Sequence, residues 1–304
     1  MFVLELLKIL KNQFITMKTH YLPKFIKAYQ ESFKLNYNTL LSENPKTLKS
    51  DIKTFILHLA PSKQSGIINV CPSALNCAKL CLHHSGNKLY YPTKVKSRIN
   101  KTIAFNDSQN DFMNILILNI IRNFRKNNNQ PTAYRLNGTS DVLFENIQIY
   151  ISVALSDFIY NKFSFNINSG YYSNIFEIFK HEKNIIMYDY TKEKREYKNL
   201  LKEFNYHITF SFDGESNKIN VDRCFDAMEN NVNIASVIDY KKRDILPTKF
   251  YSDIFQKEFN CIDGDNERGD MRFLDAKNKL VLLRFKKPIG IKYNKKDIEK
   301  FCIR

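Results

Sequence analysis

Three cysteines form the most chemically specific pattern in the sequence. Cys71, Cys77 and Cys81 lie in NVCPSALNCAKLCLHHSG, spaced C-x5-C-x3-C. Cys77 and Cys81 would lie one turn apart on a helix with both thiols on one face, and the preceding loop can bring Cys71 beside them. Three thiolates can bind a [4Fe–4S] cluster with one iron left open, or Zn²⁺ if His83 or His84 completes the set. Alternatively, they are reduced thiols that pack as small apolar side chains.

Polar side chains follow three predicted strands, in RLNGTSD, YDYTKE and TFSFDGES. If these strands belong to a βα barrel, the loops after them lie at the face where barrel enzymes carry their active sites. They predict a cofactor or substrate pocket that includes Arg135, Asn137, Ser140, Asp141, Asp189, Lys192 and Ser211. The alternative is structural: Arg135 and Asp141 would form an ion pair that closes the barrel mouth.

The segment CIDGDNERGDMRFLD is acidic in an otherwise basic chain. Asp263 and Asp265 alternate as at the start of a calcium loop, but glycine is not at loop position 6 and Leu274 stands where a glutamate is needed, which excludes an EF-hand. The segment therefore predicts either a hydrogen-bonded acidic turn or a polar-ligand site, to which Asp263, Asp265 and Arg272 would contribute. We expect it on the same face as the cysteines, with Asp141, Asp263 and Asp265 paired with Arg135 and Arg272.

Short β-branched or aromatic runs alternate with helical patterns from about residue 50, which is typical of βα units with parallel strands. No GxGxxG follows the first strand, so the pattern favours a TIM-like βα barrel, complete or incomplete, over a dinucleotide-binding sheet. Residues 1–50 predict an N-terminal helical extension, and 51–304 an α/β barrel-like domain with an insertion near 157–174. The predicted strands are Thr54–Leu59, Thr132–Leu136, Ile185–Tyr190, His207–Phe212, Val232–Ile238 and Leu280–Phe285. The predicted helices are Cys71–His83, Val95–Phe105, Asp107–Arg125, Val142–Tyr160, Tyr172–Glu182, Lys192–Phe204 and Asn220–Asn230.

The charge balance indicates an anionic partner. Lys and Arg number 47 against 31 Asp and Glu, a formal net charge of +16, so DNA or RNA is a candidate partner. The Lys- and Asn-rich composition of an AT-rich genome is the alternative explanation. No apolar stretch is long enough to cross a bilayer, and Met1–Lys18 reads as an amphipathic helix and not as a signal peptide, so we expect no membrane partner, a cytoplasmic location and reduced thiols. The sequence does not indicate an oligomeric state.

Several unusual motifs occur together in one order: LHLAP, NVCPSALNCAKLCL, RLNGTSD, YDYTK, HITFS, IDGDNERGDMRFLD and VLLRFK. In this respect the chain resembles the phage gene product 88 family over about Phe55 to Lys287. The resemblance implies a protein of phages or mobile elements, located in the host cytoplasm, without an established reaction. The cysteine-rich block and barrel pattern are in turn similar to those of radical S-adenosylmethionine enzymes. That analogy implies that Cys71, Cys77 and Cys81 ligate the cluster and that S-adenosylmethionine is a cofactor, although the cysteine spacing differs.

Two hypotheses follow, and the sequence leaves open whether the chain is an enzyme. In the first, it is a radical-S-adenosylmethionine-like iron–sulfur enzyme that acts on an unknown substrate, with nucleic acids among the candidates. In the second, it is a non-enzymatic nucleic-acid-binding protein of phage or plasmid replication. There, zinc bound by Cys71, Cys77, Cys81 and His84 would support a basic surface that includes Lys192–Lys202.

Overall fold

The fold is built on a large, mainly parallel sheet. The computed structural model describes residues 28–29, 31–35, 37–85, 91–241, 243–266 and 269–303. Nine strands follow the order β1-β2-β3-β6-β7-β8-β11-β10-β9, and β4 and β5 form a separate pair. The strands are β1 (Leu41–Ser42), β2 (Lys53–Leu57), β3 (Thr132–Arg135), β4 (Ile149–Ile151), β5 (Gly170–Tyr172), β6 (Ile185–Thr191), β7 (Tyr206–Ser211), β8 (Asn233–Ile238), β9 (Lys249–Ser252), β10 (Lys257–Asp263) and β11 (Leu280–Arg284).

Every pairing from β2 to β10 in the sheet order is parallel, whereas β1 and β9 pair antiparallel with their neighbours at the two ends. The carboxyl ends of the parallel strands therefore share one edge. The predicted α/β class is confirmed. A closed barrel is not shown, because within the described ranges β1 and β9 do not pair with each other.

The helices whose two ends lie in the described part are α1 (Asn76–Lys79), α2 (Tyr91–Asp107), α3 (Gln109–Lys126), α4 (Val153–Phe163), α5 (Ile175–Phe179), α6 (Tyr197–Glu203), α7 (Lys218–Glu229) and α8 (Lys295–Phe301). None of these described helices is long and apolar enough to cross a membrane. The amphipathic helix predicted for Met1–Lys18 lies outside the described residues.

Two helix predictions need correction. The helix expected over Val142–Tyr160 begins only at Val153, because Ile149–Ile151 instead pairs with Gly170–Tyr172 in the small β4–β5 sheet. The helix expected over Cys71–His83 is reduced to the single turn α1, followed by a 3₁₀ turn at Leu82–His84. The cysteines therefore lie in a loop that contains one helical turn.

The alternation of side chains along β3 separates the two faces of the sheet. Tyr134 points toward α3, where its hydroxyl donates to the carbonyl oxygen of Ile120 at 2.9 Å. Ala133 points to the opposite face and packs with Tyr188, Met271 and Phe273. The helix-facing side carries the main hydrophobic core.

The other face is covered by the segment between β10 and β11. Residues 269–275, here called the cross-face segment, place Met271 and Phe273 against the sheet and Asp270 beside Arg135, with a carboxylate-to-guanidinium distance of 2.9 Å. Lys46, in the connection between β1 and β2, also reaches this segment, since its Nζ lies 3.7 Å from the Asp270 carboxylate. The cross-face segment thus covers the face of the sheet to which Ala133 and Tyr188 point.

Candidate functional site

The cysteine loop, residues 70–85, lies against the carboxyl edge of the sheet. It begins beside the RLNGTSD turn that follows β3, where the Asp141 amide donates to the carbonyl oxygen of Val70 at 2.7 Å. The Cys71 thiol contacts the carbonyl oxygen of Thr139 at 3.6 Å. The start of the loop is therefore fixed by β3, although the two segments are far apart in sequence.

A second anchor comes from Asp213, two residues beyond the end of β7. Its carboxylate is fully buried and accepts hydrogen bonds from the amides of Leu75, Asn76 and Cys77 at 2.9, 3.1 and 2.7 Å. The Asn76 side chain donates to the carbonyl oxygen of Asp213. Amides at the start of a helix lack partners within the helix, so a carboxylate is well suited to this position. The motif TFSFDGES predicts Ser211 and Asp213 at this strand end, and the structure places both residues there.

Arg223, on α7, provides a third anchor that the sequence did not reveal. Its Nη1 donates to the Ser73 hydroxyl at 2.6 Å and to the carbonyl oxygen of Lys192 at 2.8 Å, and it lies 3.3 Å from the Glu193 carboxylate. One guanidinium thus joins the cysteine loop to the turn after β6. The cysteine loop is held by groups associated with three neighbouring strands.

The three thiols are partly buried and close enough to affect one another. Interaction between the thiols of Cys77 and Cys81 raises the pKa of Cys77 and lowers the pKa of Cys81. Burial raises the pKa of Cys71 to about 12, with a further contribution from Cys77. Cys81 also accepts a hydrogen bond from the His83 amide at 3.4 Å. Among these thiols, Cys81 is the one most readily ionised.

Lys192 places a cation beside these thiols. Its Nζ donates to the Ser211 hydroxyl at 2.8 Å. Burial lowers the pKa of Lys192, but its interactions with Cys77, Asp213 and Asp141 have the larger effect. The pKa of Lys192 is therefore raised above its ordinary value. The structure therefore brings Lys192 and Ser211, two of the residues expected from sequence, to the cysteines.

Asp141 belongs to an ion network and not to the expected pair with Arg135. Its carboxylate accepts from the Lys192 amide at 2.6 Å and lies 3.0 Å from Arg195, whose side chain is fully buried. Arg195 also binds both oxygens of Glu145, at 2.7 and 2.6 Å. The expected Arg135–Asp141 pair is wrong because the side chain of Arg135 points to the other face, where it pairs with Asp270.

Asn137, Ser140 and Asp189 shape the turn below the cysteine loop. Asp189 accepts from the amide of Asn137 at 2.5 Å and from the hydroxyl of Tyr206 at 3.1 Å, while Ser140 donates to the Asn137 side chain at 2.8 Å. Burial raises the pKa of Asp189 to about 7, although the hydrogen bonds from Asn137 and Tyr206 act to lower it. Gly138 in this turn does not have a positive φ, but a Cβ there would lie 2.6 Å from the carbonyl oxygen of Leu57, so close packing requires glycine.

Within the acidic segment, Asp263 and Asp265 lie apart from these contacts, whereas Asp270 pairs with Arg135. Asp263 binds Arg284 at 2.9 Å, and Asp265 lies 3.2 Å from Lys286 and 3.5 Å from Lys46. Arg272 pairs with Asp275 at 3.2 Å, on the face covered by the cross-face segment. The expectation that Asp263 and Asp265 pair with Arg135 and Arg272 is therefore wrong, since nearer partners neutralise each group.

Among the residues that the structure describes, no three His, Cys, Asp or Glu side chains are arranged to hold a single metal ion. His84, the expected fourth zinc ligand, has its ring 5.1 Å from that of His83, and its carbonyl oxygen accepts from the Ile289 amide at 2.7 Å. The donor set of a closed Cys₃His zinc site is thus not assembled.

The chain was compared with protein families, curated proteins and solved structures. Neither the curated proteins nor the solved structures contain a match. A family model described as Gene product 88 matches residues 31–304, which include the cysteine loop, its anchors and the whole nine-stranded sheet. The chain therefore belongs to the Gene product 88 family.

Proposed function

We propose that this protein binds a [4Fe–4S] cluster through Cys71, Cys77 and Cys81 and leaves one iron open for a polar ligand. The observation that carries the proposal is the convergence of three partly buried thiols in one anchored loop at the carboxyl edge of the sheet. Parallel α/β proteins bind ligands at this edge. The proposal deepens the family assignment, which by itself does not name a reaction.

The donor set fits a cluster better than a single ion. The thiolates of a cluster bind different irons, so they lie farther apart than the ligands of one zinc ion. Three cysteines without a fourth His or carboxylate ligand would leave one iron accessible. The proposal therefore rests on the three cysteines of one loop, which are the ligand set of a cluster with one open iron.

Lys192 supports the same proposal through its charge. Three thiolates brought together in a partly buried loop repel one another, and a nearby ammonium reduces that cost. Cys77 and Cys71 both raise the pKa of Lys192, so the cation is close to the thiols that would become ligands. In the proposed site Lys192 balances part of the negative charge of the cluster and its ligands.

When bound, a cluster of this type supplies an electron to the ligand at its open iron. We propose S-adenosylmethionine as that ligand and a radical-S-adenosylmethionine-like enzyme as the overall function. The residues of the chain would do the binding: the cysteine thiolates hold three irons, and Lys192 and Ser211 offer polar contacts beside them. The formal net charge of +16 favours an anionic substrate such as a nucleic acid.

Anaerobic reconstitution with iron and sulfide tests the proposal. We expect iron and acid-labile sulfide in equal amounts, a brown chromophore, and an electron paramagnetic resonance signal after reduction. Replacing Cys71, Cys77 and Cys81 together by alanine should abolish all three. The matched control is Cys261→Ala, because Cys261 is also partly buried but lies on β10, away from the cysteine loop. This variant should keep the cluster.

Two results would overturn the proposal. One is a wild-type protein that stays colourless after reconstitution and contains stoichiometric zinc. The other is a triple variant that retains the chromophore. The open iron is tested by adding S-adenosylmethionine to the reduced protein, which should change the resonance signal; an unchanged signal would refute the cofactor assignment while leaving the cluster in place.

A further inference from the structure

We infer that Asp213 is a positioning residue of the cysteine site, which holds the backbone before Cys77 in place for cluster binding and contributes a negative charge beside it. The inference rests on the proposed cluster. Asp213 does not itself bind the cluster; it acts through the main chain of residues 75–77.

The geometry is specific to a carboxylate. Oδ2 accepts from the amides of Leu75 and Asn76 and from the side chain of Asn217, and Oδ1 accepts from the amide of Cys77. All four partners are donors, so both oxygens must be acceptors. Asparagine has the same size but would point an NH₂ group at one set of donors, and a buried donor facing a donor is destabilising.

Asp213 is itself fixed in position. Its amide donates to the side chain of Asn220 at 2.7 Å, and the Asn76 side chain donates to its carbonyl oxygen. The residue therefore connects α7 to α1 across the end of β7. Because both ends of this connection are held, we expect a substitution at Asp213 to displace the backbone of Cys77 more than the core of the sheet.

The charge has a second effect. The carboxylate lies next to a proposed ligand, because its Oδ1 accepts from the Cys77 amide at 2.7 Å, and it is also among the groups that raise the pKa of Lys192. The reduced cluster is more negative than the oxidised cluster, so a nearby carboxylate disfavours reduction. Removing that charge should therefore raise the reduction potential, an effect that a purely structural residue would not produce.

The experiment compares Asp213→Asn with the wild type after reconstitution. We expect the variant to lose its cluster to an added chelator about tenfold faster or more, the usual range for removing a group that orients a metal ligand. We expect the midpoint potential of the remaining cluster to become less negative. Asp222→Asn is the matched control, because Asp222 is an exposed aspartate on α7, and it should change neither quantity.

Asn76→Ala provides a second variant that removes no charge. It deletes the Asn76 side-chain bonds to the carbonyl oxygen of Asp213 and to the Ser216 hydroxyl, so it should speed cluster loss without moving the potential. If Asp213→Asn fails to fold, this variant decides the positioning role: a wild-type rate of cluster loss would refute it. If Asp213→Asn folds and keeps both the wild-type rate and potential, the inference is wrong.

A wild type that binds no cluster would defeat the proposed function, and a separate readout then decides the inference. Alkylation of Cys77 in the metal-free protein, followed by mass spectrometry, should be faster in Asp213→Asn because the backbone of residues 75–77 is released. Equal alkylation rates in the variant and the wild type would overturn the positioning role without reference to any cluster.

Discussion

Acid should weaken the ion pair between Asp270 of the cross-face segment and Arg135 of the sheet, because this contact depends on an ionised carboxylate. Asp270 is almost fully buried and lies 2.9 Å from Arg135, and it accepts from the hydroxyls of Tyr188 and Tyr190 at 3.3 and 3.1 Å. Burial alone would raise the pKa of Asp270, but Arg135 and Lys46 outweigh it and lower the pKa from 3.8 to about 2.

The magnitude follows from this difference between the folded and unfolded states. A pKa that is lower in the folded state means that ionisation stabilises the fold, here by about 2 kcal/mol at neutral pH. This contribution is fully present above the unfolded pKa of about 4 and is lost as the pH falls through about 2. Asp270→Asn should therefore lower the free energy of unfolding at pH 7 by about 2–4 kcal/mol, since it also leaves Arg135 without its closest anion.

Urea denaturation of the wild type and Asp270→Asn across this pH range measures the effect. The difference in unfolding free energy should be largest at pH 7 and should narrow as the pH falls toward about 2, because the wild-type carboxyl then becomes neutral. Other carboxyl groups titrate in both proteins, so their contributions to the difference in unfolding free energy largely cancel. Asp253→Asn, at an exposed aspartate, should change stability by no more than about 0.5 kcal/mol. A wild-type-to-variant difference that stays constant from neutral to acid pH would refute the reasoning.

Three further variants test other parts of the structure. Arg195→Met should cost about 3–5 kcal/mol in urea denaturation, because Glu145 keeps a buried charge without its cation; adding Glu145→Gln should recover part of that loss, and no recovery would contradict the explanation. Gly138→Ala should cost about 1–3 kcal/mol because the new Cβ meets the carbonyl oxygen of Leu57, and an unchanged unfolding midpoint would show that the turn can relax. Because the pKa of Asp189 is raised to about 7, this group should lower stability as the pH rises from about 4 to about 7. Asp189→Asn should remove that slope, and an identical slope in the variant would exclude Asp189 as its source.

The buried parallel strands could be predicted from sequence because each is a compact β-branched or aromatic run. Ile185–Thr191 and Asn233–Ile238, for example, agree with the predicted strands to within one residue at each end. The strands that were missed are short, or polar on alternate positions, such as Lys257–Asp263 at the side of the sheet near β9. Their sequences resemble loops because only one face, or neither, is buried.

The contacts of the candidate site were harder to predict because they join residues distant in sequence. The cysteine spacing identified the loop, and strand-end reasoning identified Asp141, Lys192 and Ser211 near it. Arg223 lies on a helix where a charged residue ordinarily faces water, so its pattern did not distinguish an anchor from a surface side chain. Arg135 was assigned to the wrong partner because the periodicity of a strand fixes the alternation of its side chains but not which face the helices cover.

The route of the cross-face segment has a consequence for how the protein can be made. The face that it covers includes Ala133 and Tyr188, whereas the segment that covers them comes from residues 269–275, far toward the carboxyl end. During synthesis the earlier strands leave the ribosome well before their cover exists, and exposed apolar strand surface at that stage promotes aggregation. Completion of the sheet must therefore wait for the final part of the chain, and truncations that remove residues after Asp263 should yield insoluble protein even though most strands are present.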